Sequence, residues 1–135
     1  MKKFANTIEV DINAANFTFL CNGNMLQLGT FIDVNNESGK DVVVGVGGDE
    51  PTNGEYIRVK LFEKRKSNGQ LTNKLYYLDA FFRYAIRKVT GKRTMIRPKF
   101  VFKGIANLEE YLCGYQSFIL DEAAKRSGAM ECKFV

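Results

Sequence analysis

The change of hydrophobic period along the chain constrains the fold more than any other sequence feature. In the first half, apolar residues come in short alternating or continuous runs, which predict β-strands. Over residues 73–90 they recur every three or four positions, which predicts a helix. A short strand at 98–103, a second helix from Asn107 and a last strand at 130–135 follow. Strands that alternate with helices in this order form parallel βαβ units.

The first half predicts an antiparallel meander. The turn Asn22-Gly23 is of the type that joins two strands of a hairpin. Strands are expected at 4–12, 16–20, 25–34, 41–46 and 56–65. The last of these alternates apolar and charged residues, which is typical of a strand with one face in water.

Both predicted helices carry end signals. Asn73 is the expected N-cap of the first helix, and Gly91 follows its last residue. Asn107 and Glu110 have the spacing of a capping box at the start of the second. One apolar stripe is expected along this second helix, formed by Leu108, Leu112, Tyr115, Ile119 and Ala123.

Composition excludes several kinds of chemistry. Histidine is absent from the 135 residues, which removes imidazole metal sites and the Ser-His and Cys-His nucleophile pairs. The cysteines Cys21, Cys113 and Cys132 are widely spaced and odd in number, so we expect reduced, buried thiols. No apolar run approaches the roughly 18 residues of a membrane span, and no signal peptide is evident. We therefore expect one cytoplasmic domain over residues 1–135.

Three short motifs stand at the predicted strand ends. The segment DINAANF begins at Asp11 and places a carboxylate just before a tight turn. The segment GIANLE, from Gly104 to Glu109, is a sharp turn between a strand and a helix. The segment SGA, ending at Ala129, separates the second helix from the last strand. Turns of this kind can bring backbone N–H groups together at one edge of a sheet.

In order and spacing, these motifs resemble those of the N-terminal lobe of the actin superfamily, most closely the bacterial rod-shape proteins of the MreB family. The corresponding family motifs read approximately DLGTANT, GITxVE and AGA. The resemblance covers most of the chain and is poorest between residues 49 and 74. It implies an α/β (α+β) fold: a ribonuclease-H-like lobe whose antiparallel meander is followed by βαβ units on a mixed sheet.

The resemblance also implies a site. By resemblance, the phosphate turn would comprise Asp11, Asn13, Ala14 and Asn16, with Asp11 on the side of the metal. Glu109 would orient the attacking water, and the implied cofactor is ATP with Mg²⁺. The simpler interpretations are a solvated carboxylate for Asp11 and, for Glu109, an acidic residue stabilised by the helix macrodipole.

Two departures predict an incomplete ATPase site. Asn13 replaces the glycine of the family motif, so a side chain stands where the backbone must approach a phosphate. Ala14 replaces a threonine and removes a hydroxyl donor. The chain ends at Val135, where the family continues into a second lobe that completes the nucleotide site. We therefore expect a pseudo-ATPase without a cofactor.

A run of basic residues is the second candidate site. It has no acidic residue among its members, and the formal net charge of the chain is +5. Such a run can contact nucleic acid or an anionic membrane surface, although a solvated helix face with a basic last turn explains much of it more simply. Its members are Arg83, Arg87, Lys88, Lys92, Arg93, Arg97, Lys99 and Lys103.

These observations leave three hypotheses open. The preferred one is a non-catalytic structural or interaction module, in cell-shape or cytoskeletal filament assembly, that binds a protein partner or another copy. One member of each aromatic pair, 76–77 and 81–82, is expected to cover part of such a surface. The second hypothesis is a degenerate ATP-binding protein that completes its site with a second chain. The third is a nucleic-acid-binding domain that uses the basic run.

Overall fold

The computed structural model describes residues 7–50, 52–63, 74–91 and 97–135. Within these ranges the strands are β1 (Thr7–Ile12), β2 (Asn16–Cys21), β3 (Asn24–Gly29), β4 (Phe31–Asn35), β5 (Val42–Val46), β6 (Ile57–Lys60), β7 (Lys99–Lys103) and β8 (Glu131–Phe134). The helices are α1 (Lys74–Thr90), α2 (Glu109–Leu112) and α3 (Gln116–Arg126), with a 3₁₀ turn at Ile105–Leu108 before α2. The predicted N-cap Asn73 lies outside the described residues.

The described strands form two sheets. The larger has the order β3-β2-β1-β7-β8. Its first three strands are antiparallel, whereas β7 and β8 run parallel to β1. The smaller is antiparallel, with the order β5-β4-β6. The predicted α/β class, with a meander followed by parallel strands on a mixed sheet, is therefore confirmed.

The predicted strand 25–34 is wrong as a single element. It divides at Thr30 into β3 and β4, which belong to different sheets. At Thr30 the N–H still donates to the Ala15 carbonyl at 3.1 Å, in register with the β2–β3 ladder, and the hydroxyl donates to the Ala14 carbonyl at 2.6 Å. Two polar groups are thereby satisfied at the point where the chain changes sheets.

The helix predicted over residues 73–90 is confirmed as α1, which packs on the larger sheet. Its buried face includes Leu78, Phe81, Phe82, Ala85 and Val89. The Phe82 ring packs against a cluster of aromatic rings from both halves of the chain, namely Phe17, Phe19, Phe81, Phe100 and Phe102. The expectation for the aromatic pairs is wrong at 81–82, where both rings are buried in this cluster. In the other pair, Tyr76 is 75% exposed.

The second predicted helix is broken. Cys113 (φ 54°) and Gly114 (φ 92°) adopt left-handed conformations and separate α2 from α3. The break shifts the phase of the helix, so Tyr115 is 61% exposed instead of buried. It also exposes the Cys113 thiol, contrary to the prediction. Asn107 does not cap α2, because its side chain donates to the carbonyl of Ile12 instead.

Helices α1 and α3 contact each other and cover one face of the larger sheet. The opposite face is polar in its central strands. There Lys103 Nζ lies 3.0 Å from Glu9 Oε1, and Lys99 Nζ lies 3.8 Å from Glu131 Oε2. None of the described helices is long and apolar enough to cross a membrane.

Candidate functional site

The structure brings two of the three motifs together at the carboxyl ends of β1 and β7. These strands are parallel, with Asp11 opposite Lys103, so the turns that follow them meet at one edge of the sheet. Asn107 Nδ2 donates to the Ile12 carbonyl at 2.8 Å. A Cβ on Gly104 (φ +85°) would lie 3.0 Å from the same carbonyl oxygen. Glycine is needed there both for the left-handed backbone and for the close approach.

The turn after β1 is closed by its own hydrogen bonds. The N–H of Asn13 donates to the carbonyl of Asn16 at 3.0 Å, and the N–H of Asn16 donates back at 3.2 Å. The Asn13 side-chain oxygen accepts the N–H of Ala15 at 2.9 Å. Asparagine favours such turns because its side chain can bond to the backbone two residues further on. Three N–H groups of this turn are therefore already bonded within it.

A cleft of about 400 Å³ lies beside this turn. Of the predicted turn residues, Asn13 and Ala14 line it, and Asn16 accepts a 3.1 Å hydrogen bond from Gln27 on the neighbouring strand. The remaining lining residues are Ala15, Thr30, Phe31, Lys60, Phe62 and Tyr111. Sequence analysis missed Lys60 and Tyr111, because they come from β6 and α2 and no local motif marks them.

Asp11 does not line this cleft within the described part of the chain. Its side chain is exposed and projects from β1 on the same side as Glu9, away from the buried Val10 and Ile12. The pKa of Lys103 is raised by its hydrogen bond to Glu9, with a smaller contribution from the charge of Asp11. Among the described residues, no group of three or more potential metal-ligating side chains occurs.

Glu109 is held by a side-chain hydrogen bond at the first residue of α2. Its Oε1 accepts from Gln116 Nε2 at 2.8 Å, and Gln116 Oε1 accepts the Gly114 N–H at 2.7 Å. Gln116 is only 6% exposed, so this bridge is part of the packing at the α2–α3 break. The structure thus ties Glu109 to the break, and Glu109 does not line the described cleft.

The basic run does not form one continuous patch among its described members. Lys88 Nζ lies 3.0 Å from Glu50 Oε2 and 3.5 Å from Asp49 Oδ2, which raises the pKa of Lys88. Lys99 and Lys103 are also ion-paired, and Arg97 is exposed. Lys92 and Arg93 lie outside the described residues. Arg83 and Arg87 are exposed on α1 and line a groove beside β5.

An ion pair between a buried aspartate and a half-exposed arginine, which the sequence did not indicate, joins two strands of the smaller sheet. Asp33 is 1% exposed and accepts from Arg58 Nε at 2.8 Å, from Arg58 Nη2 at 3.1 Å and from Thr52 Oγ1 at 3.0 Å. The hydrogen bond from Arg58 is the main cause that lowers the pKa of Asp33. The guanidinium also lies 3.9 Å above the centre of the Phe31 ring. Two strands, β4 and β6, are joined by this cluster.

Comparison with known proteins identifies the fold. No protein-family model matches the chain, and no curated protein matches it in sequence. The crystal structure of MreB5 of Spiroplasma citri bound to ADP matches over 97% of this chain, with a TM-score of 0.65 and 13% identity. The fold is MreB-like. The same protein bound to AMPPNP matches over 98% of this chain, with a TM-score of 0.57 and 12% identity.

This MreB-like chain spans 38% and 39% of the length of those two chains. Its architecture is that of a single actin-like lobe, as the sequence motifs predict. At 12–13% identity the likeness is one of fold, so the roles of individual residues must be argued from this chain's own geometry.

Proposed function

We propose that this chain is an MreB-like lobe that works as an assembly module and does not hydrolyse ATP. The observation that carries the proposal is the hydrogen bond from the Ala15 N–H to the Asn13 side chain, at 2.9 Å. Turns that bind phosphate aim free backbone N–H groups at the ligand. Here the side chain of Asn13, which stands where the family has glycine, already accepts the Ala15 N–H. Ala14 has no hydroxyl group that could bind the phosphate instead.

The positions of the two carboxylates support the same proposal. Phosphoryl transfer needs a metal-positioning group and a water-positioning group beside the phosphates. Asp11 lies outside the cleft that contains the turn, and Glu109 is bonded to Gln116. Both positions favour a chain that does not hydrolyse ATP.

Exposed apolar side chains support the assembly part. Tyr115 and Phe118, at and just after the start of α3, are 61% and 65% exposed, and Tyr76 on α1 is 75% exposed. Tyr115 and Phe118 are only three residues apart, and grouped exposed apolar side chains of this kind mark surfaces for protein association. The proposed partner is a second copy or another actin-like protein, in a cytoplasmic filament or cell-shape system.

Calorimetric titration with Mg²⁺-ATP tests the catalytic part. We expect no binding heat at millimolar nucleotide for the wild-type chain. Asn13→Gly restores a glycine and removes the side-chain acceptor, so any gain of binding should occur in this variant. Asn22→Gly, in the turn between β2 and β3, is the matched control. Wild-type binding that disappears in Asp11→Ala would overturn the proposal and favour the alternative in which a second chain completes the nucleotide site.

Sedimentation velocity tests the assembly part. We expect association at tens of micromolar protein, alone or with an actin-like partner. Replacing Tyr115 and Phe118 together with Ser should weaken it, whereas Met25→Ser, an exposed apolar residue on β3, serves as the control. A chain that stays monomeric and binds no partner protein would overturn this part.

A nucleic-acid function has one observation in its favour. Among the described residues, Arg83 and Arg87 have no carboxylate partner and are exposed on one helix face. This alternative predicts DNA or RNA binding that weakens steeply as salt rises. Replacing Arg87, Lys88, Lys92 and Arg93 together with Gln should abolish the binding, and its survival would exclude the basic run as the interface.

A further inference from the structure

The outer edge of β5 is a surface that the assembly proposal has not used. Among the described residues, β5 pairs with β4 on one side only and is one of the two edge strands of the smaller sheet. Its residues Val42, Val43 and Val44 are 49%, 37% and 39% exposed. Edge strands that remain unpaired are usually protected by charged residues or proline. Here β-branched apolar residues stand on the edge instead.

The irregularity in β5 does not cover this edge. The register between β4 and β5 shifts at Asp33/Val34, so that Val43 pairs with Val34 and Gly45 pairs with Asp33. Val44 is the extra residue of this bulge and is itself exposed. A bulge increases the local twist of a strand and can re-aim side chains. In β5 it leaves the valine side chains accessible.

A groove of about 250 Å³ runs between this edge and α1. One wall is formed by Val43, Val44 and their neighbours in β5. The other includes Arg83 and Arg87, which lie one helical turn apart. Within the described ranges neither arginine forms an ion pair, whereas the adjacent Lys88 is paired with Asp49 and Glu50. The groove therefore has an apolar wall, a cationic wall and an unpaired strand edge.

We propose that an extended acidic segment of a partner protein docks in this groove as an added strand on β5. Its backbone would continue the β4–β5 ladder, its apolar side chains would cover the valines, and its carboxylates would pair with Arg83 and Arg87. Charge complementarity favours this occupant. A second copy would bring two further arginines to the same seam, where like charges repel. Such a segment would belong to a partner in the assembly function proposed above, and its docking here rests on that proposed function.

Fluorescence anisotropy with a synthetic peptide tests the charge requirement. The probe is a labelled peptide of about ten residues in which Glu and Val alternate, so that one face is acidic and the other apolar. Arg83→Glu with Arg87→Glu should weaken its binding by at least about tenfold. Arg97→Glu with Lys133→Glu changes the net charge equally at other exposed positions and should change binding by less than about twofold. Circular dichroism checks that each variant is folded.

Two further probes test the strand addition. The same peptide with alternate backbone nitrogens methylated should not bind, because it cannot complete the ladder with β5. Val44→Glu places a charge of the same sign as the peptide on the edge and should weaken binding without changing either arginine. Equal binding by the methylated peptide, or by the Arg83/Arg87 variant, would overturn the proposal.

Other occupants would also overturn it. Binding of single-stranded DNA in place of the peptide would assign the groove to nucleic acid. A dimer that is lost in Val44→Glu, with no peptide binding, would assign the edge to a second copy. Sedimentation velocity separates the two proposals: if the chain stays monomeric and binds no partner protein, the assembly function fails whatever the peptide does. If ATP is not bound but association is seen and the peptide fails, only the docking inference fails.

Discussion

At the scale of single residues, Asp33 is the one charged residue among the described buried side chains. It is buried, and its cationic partner Arg58 is about half exposed, so the two ends of the pair respond differently to mutation. Arg58→Met would leave the carboxylate buried with only Thr52 as a partner. We expect a loss of about 2 kcal/mol in unfolding free energy at pH 7, less than for a fully buried pair because Arg58 is partly solvated. Lys60→Met, on the same strand, should stay within about 0.5 kcal/mol.

The same pair predicts a pH dependence. Because the pKa of Asp33 is lowered in the folded protein, its stabilising contribution is full above the unfolded carboxyl pKa of about 3.9. That contribution is lost as the pH falls through the lower folded value. The deficit of Arg58→Met, measured by urea unfolding, should therefore be large at neutral pH and shrink in acid. A loss of stability in Arg58→Met that is equally large at neutral pH and in acid would contradict its assignment to the Asp33–Arg58 pair.

Tyr77 predicts the opposite dependence in alkali. Its hydroxyl donates to Asp41 Oδ2 at 2.6 Å, and this hydrogen bond is the main cause that raises the pKa of Tyr77 to about 12. The contribution is present below the unfolded tyrosine pKa of about 10 and is lost as the pH rises through the folded value. Above pH about 10, the unfolding free energy of the wild-type chain should therefore fall more steeply with pH than that of Tyr77→Phe. Tyr76→Phe, at the exposed neighbour, should follow the wild-type curve.

At the scale of elements, the junction between the two sheets depends on Gly47. Its N–H donates to the Phe31 carbonyl at 2.9 Å, and its carbonyl accepts the Gly29 N–H at 3.0 Å. A Cβ at this left-handed position (φ +60°) would lie 2.6 Å from Leu28 Cβ. Gly47→Ala should cost about 3 kcal/mol, from backbone strain and crowding together. Gly39→Ala meets no atom within 4 Å and should cost about 1 kcal/mol, so equal losses would refute the crowding argument.

Hydrophobic periodicity predicts a helix or strand well when one face of that element is buried in one core along its whole length. α1 is the clear case, because its helical spacing agrees with the face that it buries in the core. Periodicity does not predict the division of residues 25–34 into two strands. The apolar alternation continues through Thr30, although the chain passes from one sheet to the other there. The break at Cys113 and Gly114 is missed for a related reason: the apolar spacing continues, while the buried Gln116 bonds the Gly114 N–H and Glu109.

At the scale of the whole molecule, one aromatic cluster joins the meander, α1 and β7. Phe82 is fully buried and contacts rings from all three. Phe82→Ala should therefore lower the unfolding free energy by about 3–5 kcal/mol. Phe118→Ala removes the same atoms from a side chain that is 65% exposed and should stay within about 0.5 kcal/mol. Comparable losses in chemical denaturation would mean that the surface ring also packs against a core.

The candidate site was predictable only in its local parts. The turn at 13–16 and Gly104 follow from motifs, because each is contiguous in sequence. Their meeting follows from parallel strands that share a sheet edge. Lys60 and Tyr111 reach the same cleft from the smaller sheet and from α2, and only the tertiary fold brings them there. The position of Asp11 on the polar side of β1 depends on strand register, which the motif alone does not fix.

The division at Thr30 has a mechanical consequence. It joins β3, the edge strand of the larger sheet, directly to β4, the central strand of the smaller one. A pull on the smaller sheet along the β3 axis would load the β2–β3 ladder in shear, so that its six residue pairs resist together instead of opening one after another. In an assembly under tension, the two sheets of each molecule would then act as one stiff link.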